Sequence, residues 1–203
     1  MSMPEITPTR SAYLELKEER LGMEEGYSFL DEKRLVLVAE TMQELARYET
    51  AMQEFRRSYD QAIQALKRAV SRHGTNDLEI YPPIPEAWGE LQRHSRSILG
   101  LQVHEIHLEA VQPVAEELAV NASPEAEETR RLFAHLITLA ATLAGMAGNL
   151  ERLRDEYQRT SRRARALEDV LLPEIDQNLS QMDTALEEMD KEEIVRVHYS
   201  MRS

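Results

Sequence analysis

Residues 132–171 read "LFAHLITLAATLAGMAGNLERLRDEYQRTSRRARALEDVL", and their spacing decides the fold. Apolar or small side chains fall at Leu132, Leu136, Leu139, Leu143, Met146, Leu150, Leu153, Tyr157, Thr160, Ala164, Leu167 and Leu171. The intervals alternate four and three, a repeat of about 3.5 residues that marks the seam of a left-handed coiled coil. The seam continues through Ile175, Leu179, Met182, Leu186 and Met189, but successive steps of four make a stutter around Pro173. Proline removes a backbone donor and crowds the preceding turn, so a kink is predicted at Pro173 within one long helix.

The front of the chain carries a similar pattern. Thr7 or Thr9 is a candidate N-cap, and a seam follows through Met42, Leu45, Tyr48, Met52, Phe55, Tyr59, Ala62 and Leu66. The predicted organisation is an arm over residues 1–9, a first helix over 10–72, an insert over 73–123, a second helix over 124–196 and a tail over 197–203. At 1.5 Å per residue the helices are rods of roughly 95 and 105 Å. Rods of similar length joined by a returning connection should pair antiparallel. The fold class expected is therefore mainly α: a long antiparallel two-helix coiled coil with a small mixed α/β insert.

Composition agrees. Only 5% of residues are aromatic while 30% are charged, a mixture suited to long helices rather than to one large core. The absence of cysteine excludes disulfides, thiolate catalysis and cysteine-ligated zinc. Residues 1–20 include Glu5, Arg10, Glu15, Lys17 and Glu18, which leave no apolar signal core. Residues 132–150 lack formal charge, yet His135, two threonines, two glycines and Asn149 interrupt them. The seam through that stretch predicts a stripe buried against protein rather than a membrane span. The net charge is −13, and residues 73–123 hold only Arg93 and Arg96 against eight carboxylates. Such a surface repels a phosphate backbone, so nucleic acid is not an expected partner.

The insert opens with "HGTNDLEIYPPIPEAWGE", residues 73–90, where glycines and prolines break the helix. "LEIY" at 78–81 and "LQVHEIHLE" at 101–109 alternate well enough for two short strands, and residues 85–98 suit a short helix. His104 and His107 point to opposite faces of a strand and are too few for a metal site. No phosphate loop, nucleophile–base pair or dinucleotide fingerprint occurs, so no catalytic residue, metal or cofactor is expected.

Two features remain. Arg152, Arg154, Arg159, Arg162, Arg163 and Arg165 surround the second seam. End-to-end pairing sets the last three near Glu40 and Glu44, where they either form ordinary salt bridges or make a basic collar for a partner's carboxylates. A second apolar stripe, Phe133, Ile137, Ala140, Ala144 and Ala147, exceeds what one partner helix covers, so the insert or another subunit must cover it. Gly145 and Gly148 are expected to face Phe55 and Tyr59 and admit their rings.

The chain opens on "TPTRSAYLELKEERLGMEEGYSFLDEKRLVL", with Pro8, Thr9, Arg10, Leu16, Gly26, Leu30, Lys33 and Arg34, and later carries "TSRRARALEDVLLPEI". At both ends it resembles the D subunit of the rotary V-type and A-type ATPases, the first stretch being similar to that family's opening. "TSRRARALEDVLLPEI" is similar to its later signature through Arg162, Arg163, Ala166, Leu167, Glu168 and Pro173, and "RSILGLQVHEI" to a shorter stretch around Gly100 and Val103. Ala164, Arg165 and His104 depart from the family pattern. The resemblance implies a non-catalytic rotor axle, cytoplasmic and peripheral to the membrane within a membrane-bound complex. Implied partners are the nucleotide-binding A and B subunits, the small stalk F subunit and a membrane-side adaptor of the rotor ring, with no direct membrane insertion. Hexamer contacts are then expected at Arg10, Arg159, Arg162, Arg163 and Arg165, and contacts with the F subunit at Phe133, Ile137, Ala140 and Ala144. The reading from another functional class is a free-standing coiled-coil hairpin acting as a tether or chaperone-like clamp.

Overall fold

The computed structural model describes residues 9–79, 89–110 and 123–201. The elements in order are α1 (Arg10–Glu79), β1 (Gly89–Ile98), β2 (Leu101–Ala110), α2 (Pro124–Ala166), a π-helical turn (Leu167–Leu171) and α3 (Leu172–Ser200). The described residues are thus mainly helical, with one antiparallel pair of strands. It divides into two compact units, Met1–Val36 with Tyr157–Ser203, and Leu37–Glu156. Residues 1–8 of the expected arm over 1–9, with the candidate cap Thr7, residues 80–88 and 111–122 of the insert, and the last two tail residues lie outside the described residues.

In the first unit, Thr9 caps α1: its Oγ1 accepts the Ala12 N–H at 3.2 Å. Leu16 packs with Ile175 and Met182, flanked by Ala12, Tyr13, Met23 and Leu179. Burial of each large aliphatic side chain there contributes about 1.5–3 kcal/mol. Arg10 bonds both carboxylate oxygens of Asp190 at 3.0 Å, and Arg20 Nε meets Asp176 at 2.6 Å. As numbers rise along α1 they fall along the facing segment, so these segments run antiparallel. Arg20 is held above the usual guanidinium range by its hydrogen bond to Asp176 and by that carboxylate's charge. Both side chains are partly exposed, so solvent screens the pair.

In the second unit, Leu37 and Leu153 are almost wholly buried and pack with Ile98 and Val103 of the strands. Near the end of α1, Arg68 pairs with Glu128 at 3.2 Å and Arg72 with Glu125 at 2.6 Å. Ser123 caps α2 by accepting the Ala126 N–H at 3.2 Å, and its Oγ lies 2.6 Å from His73 Nε2. Gly74, with φ 74°, then leaves helical conformation, which a residue without Cβ does at least cost. Here too the helices run antiparallel. Each position on α1 faces an earlier part of α2 than end-to-end pairing predicts: Leu37 meets Leu153, and Glu44 meets Asn149.

Several expectations are corrected. Residues 89–98, expected within a short helix, form strand β1, and Leu78 and Glu79 of the expected first strand belong to α1. The stretch "GELQRHSRSI" does not alternate; it is extended because every residue pairs with β2 across a tight turn. That turn is Leu99–Gly100, with φ 46° and 86°. A two-residue hairpin loop needs left-handed conformation at both positions, so Leu99 bears strain of about 1 kcal/mol where asparagine or glycine is usual. The front seam holds only in part. Ala62 on it is buried, but Met42, Leu45 and Tyr59 on it are exposed, while Leu37, Ala65 and Ala69 off it are buried. Gly145 faces Ile106 of β2 rather than an aromatic ring: a Cβ there would lie 2.9 Å from Ile106 Cβ. Gly148 faces the guanidinium of Arg152.

Candidate functional site

No cluster of three or more potential metal-ligating side chains occurs among the described residues, and β2 turns His104 and His107 to opposite faces. What the sequence places on display is instead a set of surfaces, and the buried contacts show how each is presented.

Around residues 159–165 the helix has two sides. Thr160 and Ala164 are buried, at 2% and 0% exposure. Arg159, Arg162, Arg163 and Arg165 project outward and make no ion pair with any carboxylate among the described residues. Glu40 and Glu44 are not their partners. Glu40 accepts from Arg96 of β1 at 3.1 Å, while Glu44 accepts from Asn149 at 2.9 Å and pairs with Arg47. The expected salt-bridge partners are therefore already engaged, because the helices meet in the earlier register. Four exposed cations in seven positions repel one another and persist only with solvent or an external anion beside them. Arg10, the fifth predicted contact, is already bonded to Asp190.

The π-helical turn follows directly. Leu172 donates its N–H to the Leu167 carbonyl, a span of five residues instead of four. Pro173, in the first turn of α3, has no N–H to give and would crowd the carbonyl four residues back. The wider turn relieves that crowding and takes up the extra residue that the stutter introduces. Tyr27 of α1 is coupled to this turn. Burial raises its hydroxyl above the ordinary phenol value, and the charge of Glu168 and a hydrogen bond to it raise it further.

The second stripe is largely uncovered. Ile137 is 43% exposed, Ala140 and Ala144 are exposed, and Phe133 is half-buried. By length and composition the helical span Pro124–Ser200 could cross a membrane, but Leu136 and Leu143 within its apolar stretch are buried against protein.

Sequence reasoning missed the joint that fixes the hairpin. Asn149, 4% exposed, accepts the His104 N–H at 2.8 Å and donates to the His104 carbonyl at 2.8 Å and to Glu44 at 2.9 Å. Its amide thus stands in for the neighbouring strand that β2 lacks on that side. Gly145, one turn earlier, lets Ile106 approach. A glycine and an asparagine four apart in an apolar helix were the available signal. His104 is held below the usual imidazole value by burial, then by the charges of Arg152 and Arg93.

The sequence model of the family described as the ATP synthase D subunit matches residues 12–200. The chain is 28% identical over 200 residues to the A-type ATP synthase D subunit of Methanoregula boonei, covering 97% of this chain and 96% of that one. It is 24% identical over 193 residues to the V-type ATP synthase D subunit of Thermotoga neapolitana, covering 95% of each chain. The A-type ATP synthase D subunit of Pyrococcus horikoshii is 27% identical over 201 residues, with 96% and 94% covered.

Proposed function

The chain belongs to the ATP synthase D-subunit family, and from that premise we propose that it is the central-stalk rotor subunit of a rotary V/A-type ATPase. It transmits torque between the nucleotide-binding hexamer and the ion-translocating membrane rotor, and it carries no catalytic residue itself. The observation that bears most weight is the match over nearly the whole chain to proteins named as that subunit, joined to helices that run antiparallel within each unit. Torque transmission calls for torsional stiffness, and an antiparallel coiled coil supplies it where a single helix would twist.

On this reading each surface has a task. Arg159, Arg162, Arg163 and Arg165, and separately Arg10 beside Asp190, face carboxylates of the nucleotide-binding A and B subunits. Phe133, Ile137, Ala140 and Ala144 receive the small stalk F subunit. Other parts of the chain meet a membrane-side adaptor, so the protein is cytoplasmic and peripheral to the membrane, without inserting into it. The π-helical turn before Pro173 sets the helix axis off line, which lets a turning axle press on different subunits in sequence.

Copurification tests this reading. The tagged chain should bring down the hexamer and one small stalk subunit in a fixed ratio. The quadruple change Phe133→Ser, Ile137→Ser, Ala140→Glu and Ala144→Glu should release the small subunit while leaving the hexamer bound. A chain that self-associates and recovers neither partner contradicts the rotor reading and leaves a tether.

A further inference from the structure

Among the described residues, strand β1 leaves one edge of the hairpin open. Leu99 and Gly100 form a two-residue loop, so Ile98 and Leu101 are the closing hydrogen-bonded pair, and the pair type alternates away from them. Ser95 and His104 are therefore a non-hydrogen-bonded pair, whose N–H and C=O groups point away from each other. On the β2 side the Asn149 amide occupies both of the His104 groups at 2.8 Å, which agrees with that assignment. On the β1 side the equivalent groups of Leu91, Arg93, Ser95 and Ser97 point outward, and the sheet among the described residues has no third strand to meet them. Every residue of β1 except Ile98 is exposed.

Exposed edges are usually blunted by proline, by charged side chains, lysine above all, or by a bulge. Residues 89–98 contain no proline or lysine, and the pairing with β2 is continuous. The two arginines of the strand differ. Arg96 is held by Glu40, whereas Arg93 makes no ion pair among the described residues. Leu91, 58% exposed, shares a face with Arg93, since side chains two apart in a strand point the same way.

We propose that the outer edge of β1 is a docking site for an extended segment of a partner polypeptide, which adds as a third strand and sets a carboxylate beside Arg93 and an apolar side chain beside Leu91. Main-chain hydrogen bonds supply the affinity, and the acidic and apolar positions supply the selection. A second copy of this chain fits poorly, because it would bring Arg93, His94 and Arg96 against the same three residues. The inference rests on the hairpin alone and is independent of the rotor reading.

The test uses the full chain and a synthetic heptapeptide with threonine on one face and valine, glutamate and valine on the other. Amide hydrogen exchange, read residue by residue, should slow about tenfold or more at Leu91, Arg93, Ser95 and Ser97 at saturating peptide. Gln92 and His94, already in the ladder, should not change. A matched peptide with lysine for glutamate should bind about tenfold more weakly, and Arg93→Glu should reverse the preference while leaving the Gln92 and His94 amides protected. Three results overturn the proposal: no alternating protection at millimolar peptide, no reversal in Arg93→Glu, or protection that grows with protein concentration when no peptide is present.

Discussion

Asn149→Leu is expected to lower the stability of the Leu37–Glu156 unit by about 3 kcal/mol and to release β2 from its support. Leucine fills nearly the same volume, so the loss isolates the hydrogen bonds. It strips the His104 N–H and C=O of their partners and leaves the Glu44 carboxylate, only 12% exposed, with Arg47 alone at 3.8 Å. A buried polar group without a partner costs about 1–3 kcal/mol, and the half-buried position of His104, which lets water reach part of it, keeps the sum near the lower end. The melting temperature should fall by roughly 10 °C. The His104 amide should exchange faster by a factor of at least about ten. Asn149→Asp should cost at least as much at neutral pH, because it keeps the acceptor but sets a second carboxylate against Glu44. A loss below about 1 kcal/mol for both variants would mean that the amide is not what holds the hairpin.

Reversing two charges of the collar, with Arg162→Glu and Arg163→Glu together, is expected to leave the isolated chain almost unchanged and to weaken its binding to the nucleotide-binding hexamer about a hundredfold at low ionic strength. Neither arginine pairs with a carboxylate among the described residues, so folding stability should move by no more than about 0.5 kcal/mol. At an interface, each reversal replaces an attraction with a repulsion worth about 1–2 kcal/mol. Salt screens such contacts, with a Debye length of about 10 Å at 0.1 M and about 3 Å at 1 M, so the deficit should shrink steadily as salt is added. Titration calorimetry or sedimentation at several salt concentrations measures it. Equal affinities at every salt concentration would remove the collar from the interface and leave its arginines as a solvated face.

The two helices differed in how much of their packing could be read from the residues. The second helix is legible because its contact positions are large and apolar: Leu136, Leu143, Leu153, Ile175 and Met182 fall on the predicted seam and are buried. The first helix is misread where polar or small residues make the contacts. Glu44 turns inward because Asn149 donates to it, and Ala65 and Ala69, off the predicted seam, are buried beside Ala62 on it, while Met42 and Tyr59 are exposed. Hydrophobicity alone ranks these positions the wrong way round. Strand β1 was hidden for a related reason: its residues are exposed on both faces, so no alternation records its conformation, and only pairing across Leu99–Gly100 defines it. Pro173 announced a local disturbance, but the form it takes, a widened turn bonded from Leu172 to Leu167, depends on backbone geometry that spacing does not carry. The arginines were visible from the start. What spacing could not say was that their expected carboxylates are engaged elsewhere.

On the proposed function, this chain turns inside a stationary hexamer. The chain contains no cysteine, so Arg159→Cys introduces a unique thiol on the collar. Linked by a disulfide to a cysteine in one nucleotide-binding subunit of the assembled complex, it should halt steady-state ATP turnover, and a reductant should restore the full rate. Turnover that continues undiminished with the disulfide formed would show that the chain does not turn there.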